Sequence, residues 1–168
     1  MKNILLIGVN GFTGRRILND LSVNPIYHVT GCSLRDDICP GKDYRFVRTD
    51  IRDENEVRKL FKECRPDIVI NTSALSAPDY CETHHAEAEA TNVTAVETIA
   101  HVCEQYGSRF IHLSTDFVFD GKSIRLYKEE DEAIPVNYYG VTKLKAEKII
   151  ASNCSNYAIV RVGVVYGK

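Results

Sequence analysis

The amino-acid sequence predicts an α/β fold, a doubly wound parallel sheet with helices on both faces, and three observations predict it. Short β-branched runs alternate with longer helical patterns from one end of the chain to the other. Several of the short runs are continuously apolar, as in Ile68-Val69-Ile70, which suits strands covered on both faces. A glycine-rich turn joins the first strand to the first helix. Strands alternating with helices build βαβ units with right-handed crossovers, and such units wind a parallel sheet in two directions.

The elements follow in order. The first strand is Asn3–Val9; its apolar run is too short for a secretion signal, and a glycine turn stands where a cleavage site would be. A helix over Phe12–Ser22 follows that turn, then strands over Tyr27–Ser33 and Tyr44–Arg48. The next helix, Asp53–Cys64, starts with Asp53 as cap and Glu56 three residues on, a capping-box spacing. After a strand over Asp67–Thr72 comes a long alanine-rich helix, Glu87–Tyr106, ended by Gly107. A strand over Arg109–Ser114, a helix from the cap Asn137 to about Ser152, and a strand over Tyr157–Val162 complete the series. The chain has 168 residues, which suits one domain, and a single nucleotide-binding domain is expected over residues 1–168.

Composition narrows the function classes. A 44% hydrophobic and 26% charged chain is ordinary for a globular protein. The net charge of −2 and the lack of a long Lys/Arg run argue against nucleic acid as a partner. No apolar segment approaches the roughly 20 residues that span a bilayer, so no membrane partner is expected. Six cysteines without a CxxC pair read as reduced thiols of a cytoplasmic protein rather than as three bridges. Cys81, Glu82, His84 and His85 have metal-ligand chemistry but lie in a polar turn before a helix, and no metal is expected. Glu82, Glu87, Glu89, Lys145 and Lys148 read as solvated helix faces.

Gly8-Val9-Asn10-Gly11-Phe12-Thr13-Gly14 carries the first chemistry. Glycines there allow a tight turn and close approach of backbone to a pyrophosphate. The following helix start offers unpaired N–H groups and a positive dipole end. The spacing is G-x-x-G-x-x-G, and its position opening a βαβ unit makes a dinucleotide the expected ligand. The end of the second strand selects which one. An acid there bonds the ribose 2′-hydroxyl of NAD, whereas an arginine accepts the 2′-phosphate of NADP. Ser33 and Arg35 come before Asp36 and Asp37, which favours NADP(H) over NAD(H) and leaves NAD open. Asp50-Ile51, after the third strand, either meets the adenine amino group or helps to start a helix.

Tyr139 and Lys143 stand four apart in a predicted helix and so share one face. A phenol keeps its proton to pH ~10, and a nearby ammonium favours the phenolate by charge. Tyr139 is then a proton donor to a carbonyl under reduction, and Lys143 can also bond the nicotinamide ribose. Thr115 ends the fifth strand, at the carboxyl edge where open α/β sheets bind ligands, and its hydroxyl can polarise the same carbonyl. The plainer reading of Thr115 is a strand-end residue bonded to local backbone.

With these residues in view, the chain resembles the extended short-chain dehydrogenases/reductases over nearly its whole length, with a Rossmann fold of strand order 3-2-1-4-5-6 or an extension of it. The resemblance rests on Gly8 to Gly14, Asn71-Thr72-Ser73-Ala74, Asn92, Ser114-Thr115-Asp116-Phe117-Val118-Phe119-Asp120-Gly121 and Tyr139-Gly140-Val141-Thr142-Lys143. The Ser114–Gly121 segment, with Tyr127 to Asp131, Pro135 and Val160-Arg161 through Tyr166-Gly167, is similar to the dTDP-4-dehydrorhamnose reductases. It implies Thr115, Tyr139 and Lys143 as catalytic residues. It adds Thr72, Ser73, Ala74 and Asn92 to the cofactor-binding set. The implied reaction is reduction of the 4-keto group of a nucleotide-activated deoxysugar, the expected substrate partner, with a homodimer as a compatible assembly. Sugar-nucleotide dehydratases carry a glutamate after the Thr-Asp pair; Phe117 there disfavours dehydration. Phe117 also replaces the reductases' usual tyrosine, and Val164 replaces a tryptophan that many carry near the sugar. A substrate-binding part is expected beyond residue 168 and is mostly absent from this chain. Two alternatives stay open: an epimerase, and a dinucleotide-binding regulatory subunit resembling the β subunit of methionine adenosyltransferase.

Overall fold

A computed structural model describes residues 1–166; Gly167, in the expected exit segment, lies outside the described residues. Six parallel strands form one sheet in the order β3-β2-β1-β4-β5-β6, the order the resemblance implied. They are β1 (Lys2–Ile7), β2 (Tyr27–Ser33), β3 (Arg45–Arg48), β4 (Ile68–Asn71), β5 (Arg109–Thr115) and β6 (Tyr157–Val162).

The apolar run of β1 shows why the sheet takes two layers of cover. Leu5 and Ile7 face the core built with α2 (Glu54–Cys64), α5 (Ala95–Tyr106) and α6 (Tyr138–Asn153). Leu6 faces the other way, onto Leu18 of α1 (Phe12–Ser22). All three are at most 2% exposed, and each such burial stabilises by about 1.5–3 kcal/mol.

Capping follows the sequence reading with one change. Asp53 accepts from Asn55 N and Glu56 N at the start of α2, but Glu56 reaches back to Asp50 N at 2.7 Å rather than to the cap residue. Asn137 caps α6 by accepting from Gly140 N.

The region between β4 and β5 differs more. The long helix expected over Glu87–Tyr106 is α4 (His85–Glu89), a π turn over Ala90–Thr94, and α5. A further helix, α3 (Pro78–Thr83), precedes it, with Pro78 in the first turn where a missing N–H costs nothing. The widened turn coincides with Asn92, whose amide bonds both Leu75 N and Leu75 O. Glu82 and Glu89 are not merely solvated. Glu82 accepts from Tyr138 N, and Glu89 accepts from Tyr138 Oη and Lys145, so both fasten α3 and α4 to the start of α6.

All six cysteines are free thiols. No helix among the described residues is long and apolar enough to cross a membrane. The sheet order reverses between β1 and β4, and open sheets of this kind form a crevice at that point, outside the carboxyl ends of the strands.

Candidate active site

The crevice starts with backbone. Ile7 pairs with Asn71 in register, so the turns leaving β1 and β4 run side by side. Thr72 Oγ1 donates to Ile7 O at 2.9 Å and ties them together. Gly8 has φ +82°, and a Cβ on it would lie 2.8 Å from Ser73 N. A Cβ on Gly14 would lie 2.2 Å from Gly8 O, so the first turn of α1 reaches the end of β1 only because both positions are glycine. No side chain caps α1 and no acid stands in its first turn, leaving its N–H groups and dipole for an anion.

A cleft of about 570 Å³ opens over this turn, lined by Gly8, Gly11, Phe12, Thr13, Gly14, Ser33, Thr72, Ser73, Ala74, Thr115, Tyr139 and Lys143. A second cavity of about 480 Å³ shares Gly8, Ser33, Ser73 and Ala74 with it and continues past Arg35, Asp50, Ile51 and Arg52. The two form one trough from the end of β3 to α6. Its glycine floor, uncapped helix start and mixed polar lining fit a dinucleotide laid along the sheet edge.

Two sequence-derived cofactor residues stand outside the trough's lining. Asn10 spends its amide on Asp36 O at 2.8 Å and on Arg35 O, pinning the loop after β2. Asn92 is 1% exposed, and besides Leu75 it donates to Thr142 Oγ1 at 3.1 Å, joining the π turn to α6. Asp50 lines the trough, with its carboxylate engaged by Arg52, which holds it below the usual carboxylate range against a smaller opposing effect of burial. Asp36 faces Arg48 at 3.5 Å, with both side chains largely in solvent.

Thr115, Tyr139 and Lys143 share the opposite wall. Gly140 makes this possible: a Cβ there would lie 2.2 Å from Phe117 O, so α6 could not otherwise press against the 3₁₀ turn Asp116–Val118 that follows β5. Thr115 Oγ1 donates to Asp116 at 3.1 Å and accepts from Phe117 N at 3.2 Å. The local bonding of the plainer reading is therefore present, on a hydroxyl that also lines the cleft. Phe117 meets the Tyr139 ring edge-on with centroids 5.9 Å apart. Tyr138, next to Tyr139, points away to Glu89.

The electrostatics depart from the simple Tyr-Lys expectation. Burial pushes the Tyr139 phenol up, and the Thr115 hydroxyl beside it opposes that rise. Lys143 is 1% exposed and turns its Nζ into the sheet, to His112 Nε2 at 2.9 Å and Leu113 O at 2.7 Å. Burial brings its pKa down to about 8, against a smaller upward effect of Glu147. Lys143 thus spends its Nζ on the sheet, while the Tyr139 phenol is shifted chiefly by burial and Thr115. His112, buried and held well below the usual histidine range by desolvation and Lys143, was not singled out in the sequence.

The Ser114–Gly121 segment owes much of its character to scaffolding. Ser114 donates to Glu147, which pairs with Arg161 of β6 at 2.7 Å. The Arg161 guanidinium stands 5.1 Å from the Phe119 ring centroid, Phe119 stacks on Tyr127, and Tyr127 Oη donates to Asp120 at 2.6 Å.

Comparison with known proteins agrees with this geometry. The model of the family described as RmlD substrate binding domain matches residues 1–168. The chain is 31% identical over 167 residues to methionine adenosyltransferase 2 subunit beta of Bos taurus, covering 99% of this chain and 48% of that protein. It is 32% identical over 164 residues to dTDP-4-dehydrorhamnose reductase of Salmonella typhimurium, covering 98% of this chain and 52% of that one. A solved dTDP-4-dehydrorhamnose reductase of Bacillus anthracis in complex with NADP superposes with a TM-score of 0.83 at 26% identity, over 99% of this chain and 55% of that chain. The chain spans about half the length of the curated relatives it matches. Fold, cleft and matches together show that the chain belongs to the RmlD substrate binding domain family, within the extended short-chain dehydrogenases/reductases.

Proposed function

We propose that this chain is the cofactor-binding and catalytic part of an NADP(H)-dependent reductase that acts on the 4-keto group of a nucleotide-linked deoxysugar. One observation carries the reading: Thr115, Tyr139 and Lys143 line the same cleft as the glycine turn. Bound NADPH supplies the hydride. Tyr139, a phenol that keeps its proton at neutral pH and that burial pushes further up, holds the proton that passes from its Oη to the carbonyl oxygen. Thr115 turns its hydroxyl from Asp116 to that oxygen and donates a second hydrogen bond as negative charge develops. Phe117 places an apolar edge against Tyr139 where a dehydratase would need an acid, which supports reduction without loss of water. Ser33 and Arg35, both lining the trough, support NADP over NAD, the 2′-phosphate being the group a guanidinium recognises. The relatives' remaining length is the proposed source of substrate contacts, so this domain supplies chemistry rather than choice of sugar.

The test is reduction of dTDP-4-keto sugars by the whole protein with NADPH, and Tyr139→Phe must lose turnover; unchanged turnover contradicts the assignment. The similarity to methionine adenosyltransferase 2 subunit beta, with Val164 in place of a tryptophan, supports a second reading as a dinucleotide-binding regulatory subunit. That reading expects a stable complex with a partner enzyme and no turnover of any keto-sugar.

A further inference from the structure

The ends of β2 and β3 bring two arginines to one loop. Ser33 and Arg48 are partners in register, so their side chains leave the same face of the sheet. Alternation along β3 identifies that face. Val47 packs against the core that holds Cys32, its own register partner, on the α2 side. Phe46 packs the other way, against the cluster that holds Leu18 of α1, and Arg48 emerges on the side of Phe46.

The loop over residues 34–37 is held from two directions. Asn10 Nδ2 donates to Asp36 O at 2.8 Å and to Arg35 O at 3.3 Å. Arg48 Nε donates to Leu34 O at 3.1 Å. These bonds use main-chain carbonyls, and none of them engages the side chain of Arg35, a residue lining the trough.

Arg48 has an acid within reach, but the pair is loose. Its Nη1 stands 3.5 Å from Asp36, with the two side chains 69% and 89% exposed. A pair so long and so wet stabilises little. Arg45 on the same strand shows the contrast, since it meets Glu63 at 2.5 Å. The next acid of the loop, Asp37, is taken by Tyr44 Oη. With Nε on Leu34 O, the Arg48 guanidinium is oriented while its Nη groups remain for a stronger acceptor than Asp36.

We propose that Arg48 is a specificity-determining residue for the cofactor: with Arg35 and Ser33 it receives the 2′-phosphate of NADP, and Asp36 is the counter-ion it gives up. The proposal rests on the NADP reading above and adds a residue to it. A phosphate monoester carries more charge than one carboxylate and offers three acceptor oxygens, which two guanidinium forks can share. NAD has only a hydroxyl at that position and no group that calls for Arg48. Asp36 works against the arginines, because its carboxylate repels the phosphate they attract. Strand β3 is at the edge of the sheet, so the exposed Arg48 side chain turns without disturbing the core.

The experiment is calorimetric titration of NADP and of NAD into the whole protein, Arg48→Gln and Asp36→Asn, at low ionic strength where exposed charges are least screened. Arg48→Gln is expected to weaken NADP about tenfold and NAD by less than about twofold. Asp36→Asn leaves Arg48 on Leu34 O and should raise the preference for NADP over NAD several-fold. If Arg48 only supported the loop, both dinucleotides would weaken alike in Arg48→Gln, and that result overturns the proposal. So does undiminished NADP binding in Arg48→Gln, or a preference for NADP that does not rise in Asp36→Asn. Tighter binding of NAD than of NADP by the unsubstituted protein counts instead against the cofactor choice in the functional reading. The role of Arg48 is judged separately, on the change in the NADP-to-NAD ratio between variant and unsubstituted protein. Binding of neither dinucleotide overturns both.

Discussion

The two walls of the cleft are built from different materials. The wall over β1 and α1 is backbone: Gly8 and Gly14 touch neighbouring main chain, and α1 starts without a side-chain cap. The wall over β5 and α6 is side chain: Thr115, Tyr139 and Lys143, supported by His112, Asn71 and the Ser114–Glu147–Arg161 set. A backbone cradle tolerates no added atoms but is indifferent to protonation. A side-chain wall accepts volume-conserving changes but depends on which atoms carry hydrogens. Binding should therefore fail by steric change on one wall, and chemistry by loss of a proton donor on the other.

The largest expected effect is on the side-chain wall. Tyr139→Phe removes the proposed proton donor and should lower turnover by about 10²–10⁴-fold, measured under steady-state conditions with saturating NADPH. Next is the support of that wall. Glu147→Ala leaves the half-buried Arg161 guanidinium and the Ser114 hydroxyl without their shared acceptor, and should cost about 3 kcal/mol in denaturant unfolding. Lys143 gives a pH signature of similar size. Its pKa is depressed from 10.5 to about 8, so across that interval the unfolded chain binds a proton the native chain lacks. Stability relative to Lys143→Met should therefore rise with pH through the same interval, by at most about 3 kcal/mol. On the backbone wall, Gly14→Ala forces a Cβ against Gly8 O and should cost about 1–3 kcal/mol of stability, read by thermal unfolding. The smallest effect belongs to Asn10→Ala, which frees the loop after β2 and should cost about 0.5–1.5 kcal/mol, with weaker NADP affinity from the less ordered Arg35.

What the sequence made legible follows from range. The strands were readable because apolar β-branched runs need no distant information, and the glycine turn because its spacing is local. The Tyr139–Lys143 pair was readable because helical spacing puts both residues on one face. Helix α3 was missed because Pro78–Thr83 is short and polar, and the π turn because it accompanies tertiary bonds from Asn92 to Leu75. His112 reads as one more strand residue in Phe110-Ile111-His112-Leu113, since its partners lie 41 and 31 residues away. For the same reason the inward bonds of Lys143 to His112 and Leu113 were not legible: spacing reports a shared face, not where a flexible side chain turns.

The central claim is that one wall of a single cleft binds the dinucleotide and the other performs the chemistry. Calorimetric titration of NADP into the whole protein, Gly14→Ala and Tyr139→Phe side by side tests it most directly. The account predicts at least a tenfold loss of affinity in Gly14→Ala and affinity within about twofold of the unsubstituted protein in Tyr139→Phe. Equal weakening in both variants, or undiminished binding in a folded Gly14→Ala, would contradict it.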